Sequence, residues 1–181
     1  MKDRVIYISG KDRSGKSKAA EIFQKMGYKI IECGGVVRRE YEKIVNIKQN
    51  FSISDFYKNK EEQLNALIFQ EIENLKNDST PYLKIVIVGI RSTNLFNMLT
   101  QKYPPFFILY ISSREEIRYQ RHLDNNKGFD RLSLTLFKLR DVQQNKWGLE
   151  YIMKKSEIIE NNSTIIQFEK NLREIYEKRC L

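Results

Sequence analysis

The chain has 181 residues, of which 41% are hydrophobic and 30% charged, with a formal net charge of +9. That balance suits one domain with its own core and excludes a disordered chain. No apolar run approaches the roughly 18 residues that a membrane-spanning helix needs. Two cysteines far apart in sequence, Cys33 and Cys180, and a single histidine, His122, argue against both a disulfide framework and a zinc site. The first four residues run straight into a strand pattern and leave no room for a signal peptide, so a reducing, cytoplasmic setting is expected. The basic charge favours anionic partners: nucleotides, nucleic acid or an anionic membrane face.

Residues 5–8 form a short apolar run between charge and Gly10, the pattern of a buried strand. Residues 16–26 read as a helix, with Ala19, Ala20, Ile22 and Phe23 apolar and Gly27 placed to end it. Residues 28–31 are a second strand, which the pair Gly34-Gly35 is expected to break before a helix over 36–47. A long helix over 53–76 places Leu64, Leu67, Ile68, Ile72 and Leu75 on one stripe. A turn follows at 78–81. Residues 84–88 are β-branched and continuous, as in a strand whose sheet is covered on both faces. A helix over 95–102 stops at Pro104-Pro105, and 106–111 is a fourth strand. Ser113-Arg114-Glu115-Glu116 has the form of a capping box opening another helix. Residues 125–130 are polar, 132–146 return to helix, 157–159 make a fifth short strand, and Thr164 begins a final helix. Strands alternating with helices imply parallel crossovers in one α/β domain.

Gly10-Lys11-Asp12-Arg13-Ser14-Gly15-Lys16-Ser17 matches G-x-x-x-x-G-K-[ST] at every fixed position, after a strand and before a helix. In that setting the glycines free the backbone to point N–H groups inward, and the helix N-terminus adds partial positive charge. Lys16 would bring an ammonium to the β- and γ-phosphates of ATP, and Ser17 a hydroxyl to Mg²⁺. All eight residues are candidates for holding the nucleotide. Asp12 and Arg13 read as solvated charges at the crown of the loop.

This loop, the stretch Ile87-Val88-Gly89-Ile90-Arg91-Ser92, and a distal segment comprising Leu139-Arg140-Asp141, Gly148 and Ser156-Glu157-Ile158-Ile159-Glu160-Asn161 together resemble the P-loop kinases of small molecules. The pattern is similar to dephospho-coenzyme A kinases, their archaeal relatives and the (deoxy)nucleoside monophosphate kinases. The resemblance implies a P-loop NTPase fold, with a parallel sheet of about five strands flanked by helices. It also implies a helical acceptor insert at about 36–78 and a lid at about 121–147. It implies ATP and Mg²⁺ as cofactors and a small phosphorylated, nucleotide-like compound as partner. Arg121 and Arg140 fall where lid arginines meet the transferring phosphoryl group, a task that suits planar guanidinium donors. With Lys16 they form the candidate catalytic set. Arg38 and Arg91, after strands two and three, fall where acceptor contacts are placed, at the carboxyl edge of the sheet.

Two family carboxylates are missing, because Val88 and Gly35 stand where acids are common. Glu32 and Asp141 are the candidate replacements. Trp147 suits packing, with a base-stacking platform as the alternative; Tyr41, Phe51, Phe56 and Tyr57 suit packing, with stacking on an acceptor base as the alternative; and His122 suits an exposed helical position. Two other readings stay open. One is a non-catalytic nucleotide-binding regulator that kept the loop and lost the carboxylates. The other is a nucleic-acid-binding protein, although the positive charge is spread along the chain rather than gathered with aromatics.

Overall fold

The structure is a computed structural model that describes residues 3–45, 53–76, 82–124 and 132–180. Its strands are β1 (Arg4–Ser9), β2 (Lys29–Glu32), β3 (Lys84–Val88), β4 (Pro105–Ser112) and β5 (Glu157–Glu160). They form one five-stranded sheet in the order β2-β3-β1-β4-β5. Every adjacent pair is parallel. Parallel neighbours need long crossovers, and helices supply them. The helices are α1 (Lys16–Lys25), α2 (Cys33–Val45), α3 (Ile53–Lys76), α4 (Thr93–Lys102), α5 (Glu115–Asp124), α6 (Leu134–Gln144), α7 (Glu150–Lys154) and α8 (Ile165–Cys180). This is the expected parallel sheet of five strands flanked by helices.

The continuous apolar strands are explained by cover on both faces. Val5 and Tyr7 of β1 belong to one apolar layer, with Ile85 and Ile87 of β3 and with Ile68, Ile72, Leu95, Phe96 and Leu99 of α3 and α4. Ile6 and Ile8 belong to the other, with Val86 and Val88, with Ala19, Ala20, Ile22 and Phe23 of α1, and with Phe168 and Leu172 of α8. Burying a Val, Leu or Ile side chain contributes about 1.5–3 kcal/mol, so these two layers are the main source of stability. The Tyr7 hydroxyl, buried beneath α4, donates to the carbonyls of Leu99 (3.1 Å) and Tyr103 (2.7 Å).

Several elements differ from the sequence reading. The Gly34-Gly35 pair does not break the chain before α2; it lies inside that helix, which starts at Cys33. Cys33 and Val36 are buried in the first layer, and that packing outweighs the poor helix propensity of glycine. The capping box at Ser113 is not used as expected. Helix α5 starts at Glu115, and the Ser113 hydroxyl donates to the Asn161 carbonyl at 3.0 Å. Helix α6 is capped by Ser133, whose side chain accepts from Leu136 N, and runs on through a wide turn at Asn145–Leu149 into α7. Thr164 does cap the last helix, its hydroxyl accepting from Gln167 N at 3.3 Å. The turn at 78–81, the polar stretch 125–130, Ile47 and Phe51 lie outside the described residues.

Candidate nucleotide and acceptor site

The strand order puts β1 at the centre, with β3 on one side and β4 on the other. Connections from the carboxyl ends of β1 and β3 therefore diverge around one crevice, where open α/β sheets bind ligands. Residues 10–17 fill that crevice between β1 and α1. Gly10 has φ +143°, and a Cβ there would lie 2.4 Å from the Ile111 carbonyl oxygen. Gly15 has φ +104°, and a Cβ there would lie 2.1 Å from Asn161 Nδ2. Both positions demand glycine on conformational and steric grounds. Lys16 Nζ arches back across the loop and donates to the Lys11 carbonyl at 2.6 Å. Burial, reinforced by Arg91 and Arg118, pulls the Lys16 ammonium down to about 7 despite Asp12 and Asp141 nearby.

Asp12 is not the solvated charge that the sequence suggested. Its carboxylate pairs with Arg91 through Oδ1 and faces Arg140 Nη1 at 3.7 Å through Oδ2. Burial alone would raise its pKa, but Arg91, Lys16 and Arg140 outweigh burial and hold it at about 2. Asp12 is an anion at any pH near neutrality. It gathers three of the sequence-stipulated residues, Lys16, Arg91 and Arg140, around one point. Arg13 beside it has φ +61°, the single positive value for a non-glycine among the described residues.

Arg121 reaches the loop from behind. Its guanidinium donates to the Arg13 carbonyl (3.3 Å) and the Asn161 carbonyl (3.0 Å), so here it braces backbone. Asn161 completes the brace, donating from Nδ2 to the Ser14 carbonyl at 2.8 Å. Arg38 lies exposed on α2 and is not drawn into this cluster, while its neighbour Arg39 pairs with Glu71 on the surface. Ser17 is exposed in the first turn of α1.

The sequence reading missed Arg118. Its side chain is 3% exposed and Asp141's is 7%. Arg118 Nη1 donates to Asp141 Oδ1 at 3.0 Å, and a second bond joins Nη2 to Oδ2. The same guanidinium donates to the carbonyls of Ser113 (3.1 Å) and Asp12 (3.2 Å). Lys11 Nζ approaches Asp141 from the loop at 3.6 Å. Bidentate pairing of this kind fixes orientation as well as adding energy. It ties α5 and α6 to the loop, and it commits Asp141, one candidate replacement for the missing acids, to Arg118 and Lys11. Glu32, the other, is exposed at the end of β2. His122, expected on the surface, is buried against Tyr119 and Phe137, and its Nε2 accepts from Leu132 N at 2.9 Å.

On the side of α3 lies a second group of polar residues. The Ser92 hydroxyl donates to Glu61 at 2.6 Å, and the Tyr57 and Trp147 rings pack with centroids 5.8 Å apart. Gln144, at the end of α6, is 1% exposed, and neither atom of its carboxamide makes a hydrogen bond of normal length. It nevertheless lies close enough to Asp12 to favour the carboxylate's ionised form. Arg91 Nε is likewise buried without a partner.

No family model matches the chain. A UPF0200 protein of Pyrobaculum aerophilum is 29% identical over 160 residues, 88% of each chain. A UPF0200 protein of Methanosarcina barkeri is 28% identical over 176 residues, 95% of this chain and 94% of its own. Among solved structures, a gluconokinase from Sinorhizobium meliloti 1021 superposes with a TM-score of 0.61 at 16% identity, covering 97% of this chain and 94% of that one. A shikimate kinase from Bacteroides thetaiotaomicron gives 0.58 at 9% identity, covering 98% and 99%. The chain thus shares its fold with small-molecule kinases over nearly its whole length.

Proposed function

We propose that this chain is an ATP-dependent phosphotransferase that moves the γ-phosphate of ATP to a small nucleotide-like acceptor of the nucleoside monophosphate or dephospho-coenzyme A type. The observation that carries this reading is the loop itself. Gly10 and Gly15 have no room for a Cβ and take positive φ, and Lys16 spans the mouth they frame. A strand-to-helix loop of that shape presents backbone N–H groups and a helix N-terminus to anionic oxygens. The residues fit a nucleotide triphosphate, and the structural kinship with kinases of small molecules supports the same reading.

Lys16 meets the outer phosphates, and its ammonium gains a proton-binding partner when they arrive. Arg140 and Arg91, held at the loop crown by Asp12, supply positive charge where the transferring group and the acceptor meet. Arg121 acts one step back by holding the carbonyl of Arg13. Catalysis of this kind is mainly positioning and charge neutralisation. Among the described residues, no three His, Cys, Asp or Glu side chains converge as a metal site. The Ser17 hydroxyl and the phosphates themselves would hold Mg²⁺, which neutralises phosphate charge when bound.

One observation favours a second reading, a regulator that binds nucleotide without turnover. Val88 packs in the apolar layer with Ala19 and Ile22, and Asp141 is fully committed. A γ-phosphate transfer screen over ribo- and deoxynucleoside monophosphates and dephospho-coenzyme A separates the two. The kinase reading expects ADP release that depends on one class of acceptor. ATP binding with no acceptor-dependent ADP release would overturn it in favour of the regulator.

A further inference from the structure

We propose that the outward face of α6 is a self-association surface, on which a second copy of this chain packs its own α6 across a twofold axis. This goes beyond the phosphotransferase reading and does not depend on it.

Helix α6 is amphipathic in reverse. Its buried side chains are Phe137, Asp141 and Gln144, so a carboxylate paired with Arg118 lies on the inner face. The outward side chains Leu136, Leu139 and Val142 are 51%, 57% and 51% exposed, and Leu134 in the first turn is exposed as well. A helix that only bordered solvent would place its charges outside and its aliphatics within. Three-residue spacing, at about 100° per residue, centres positions 136, 139 and 142 opposite the buried face. Thr135 and Gln143 share that outer face, so no charge interrupts the stripe. Among the described residues eight large apolar side chains are exposed, and four of them belong to this one helix. Singly scattered apolar side chains are ordinary, whereas a contiguous stripe marks a contact.

The occupant follows from charge and symmetry. With a net charge of +9, two copies repel at long range, so self-association needs a face that is electrically balanced. The outer face of α6 is balanced. Its flanking cation Lys138 pairs with Glu115 at 3.0 Å, while Arg140 and Asp141 turn inward to Asp12 and Arg118. Around a twofold axis at Leu139, antiparallel α6 helices set Leu136 of each copy against Val142 of the other, and Leu139 against its own equivalent. Lys138 and Glu115 then stand at the rim, positioned to exchange partners between copies. An anionic bilayer or an acidic peptide fits less well, because Glu115 already neutralises Lys138 and Glu116 adds exposed negative charge to the same turn. A stable twofold contact buries roughly 800 Å² per partner, more than four half-exposed side chains supply. The stripe is therefore the apolar core of a contact that dissociates at micromolar concentration.

Sedimentation velocity of the full chain, from nanomolar to submillimolar concentration, tests the proposal. A monomer–dimer equilibrium is expected. Leu139→Glu should raise its dissociation constant by about 100-fold or more, because a twofold contact loses the side chain twice. Leu139 is exposed, so at concentrations where both proteins are monomeric the variant should melt within about 2 °C of the wild type. Ile166→Glu alters a side chain on α8 that is more exposed still, and it should leave the equilibrium unchanged. In a Cys180→Ser background, Leu139→Cys puts two thiols at the axis and should cross-link as a dimer under copper–phenanthroline oxidation, whereas Ile166→Cys should not. A wild-type chain that stays monomeric throughout overturns the proposal. So does a dimer whose constant survives Leu139→Glu, or equal cross-linking of the two cysteine variants. Vesicles of equal phosphatidylcholine and phosphatidylserine provide the remaining arm. Co-sedimentation of the wild type but not of Leu139→Glu, without self-association, assigns the stripe to lipid and overturns the proposal as well.

Discussion

Removing Asp141 should destabilise the protein more than removing Arg118, although the two form one ion pair. In the Asp141→Leu variant the Arg118 guanidinium stays buried with two carbonyls, Ser113 at 3.1 Å and Asp12 at 3.2 Å, and loses its counter-charge. In Arg118→Leu the remaining carboxylate keeps Lys11 at 3.6 Å, whose side chain is 32% exposed and free to close the gap. Breaking a buried pair from one side costs about 3–5 kcal/mol, because a charge is left uncompensated. Asp141→Leu belongs at the top of that range. Arg118→Leu should fall about 1–2 kcal/mol lower, the value of a charge-assisted contact retained. The double variant leaves no orphan charge and should cost less than either single change. For a chain of this size about 1 kcal/mol moves Tm by about 2–4 °C, so the single variants should be separable by calorimetric melts. Urea titrations of all four proteins give the coupling energy directly. Equal losses for the two single variants, or additive losses in the double, would refute the reasoning.

Other outcomes are equally specific. Gly15→Ala forces a Cβ toward Asn161 Nδ2 at a φ of +104°. Left-handed strain and the displaced Asn161 hydrogen bond should together cost about 2–4 kcal/mol, with ATP affinity falling in calorimetry as the loop shifts. Lys16 at about 7 in the free protein is largely neutral at pH 8. Phosphate raises its pKa, so ATP binding should take up a proton at pH 8 and little at pH 5.5, read from calorimetry in buffers of different ionisation enthalpy. Asp12 is depressed from its unfolded value of 3.8 to about 2, so its ion pairs contribute stability above pH 4 that is lost as pH falls toward 2. The acid limb of a stability profile should flatten between pH 4 and 2 in Asp12→Asn. Val88→Asp places a charge in the layer shared with Ala19, Ala20 and Ile22 and should cost about 3 kcal/mol or more in a melt, without restoring rate.

The strands and the loop were legible because their signals are local. Residues 5–8 and 84–88 are apolar at every position, and a loop motif between a strand and a helix carries its own context. The organising charges were not legible, because their partners are distant in sequence. Asp12 and Arg91 are 79 residues apart, and Arg118 and Asp141 are 23 apart. On the helix α5 pattern alone, Arg118 is one of two arginines three residues apart, and nothing local marks it as the buried one. His122 misled for the same reason, since Tyr119 is a helix neighbour while Phe137 arrives from α6. The two glycines at the start of α2 misled differently: a propensity penalty of about 1 kcal/mol each is small beside the burial of Cys33 and Val36.

The contact between Asn161 and the loop joins residues 147 apart. During synthesis from the N-terminus, β1, α1 and the glycines of the loop all exist long before the amide that seals against Gly15, and before the carbonyl of Asn161 that Arg121 holds. Strands β1, β3 and β4 can pair without it, but the phosphate cradle has no back wall until β5 adds to the sheet edge. On the proposed function, nucleotide binding therefore reports on the completion of folding and comes after collapse. A nascent chain that ends short of β5 should bury its core and still fail to hold ATP.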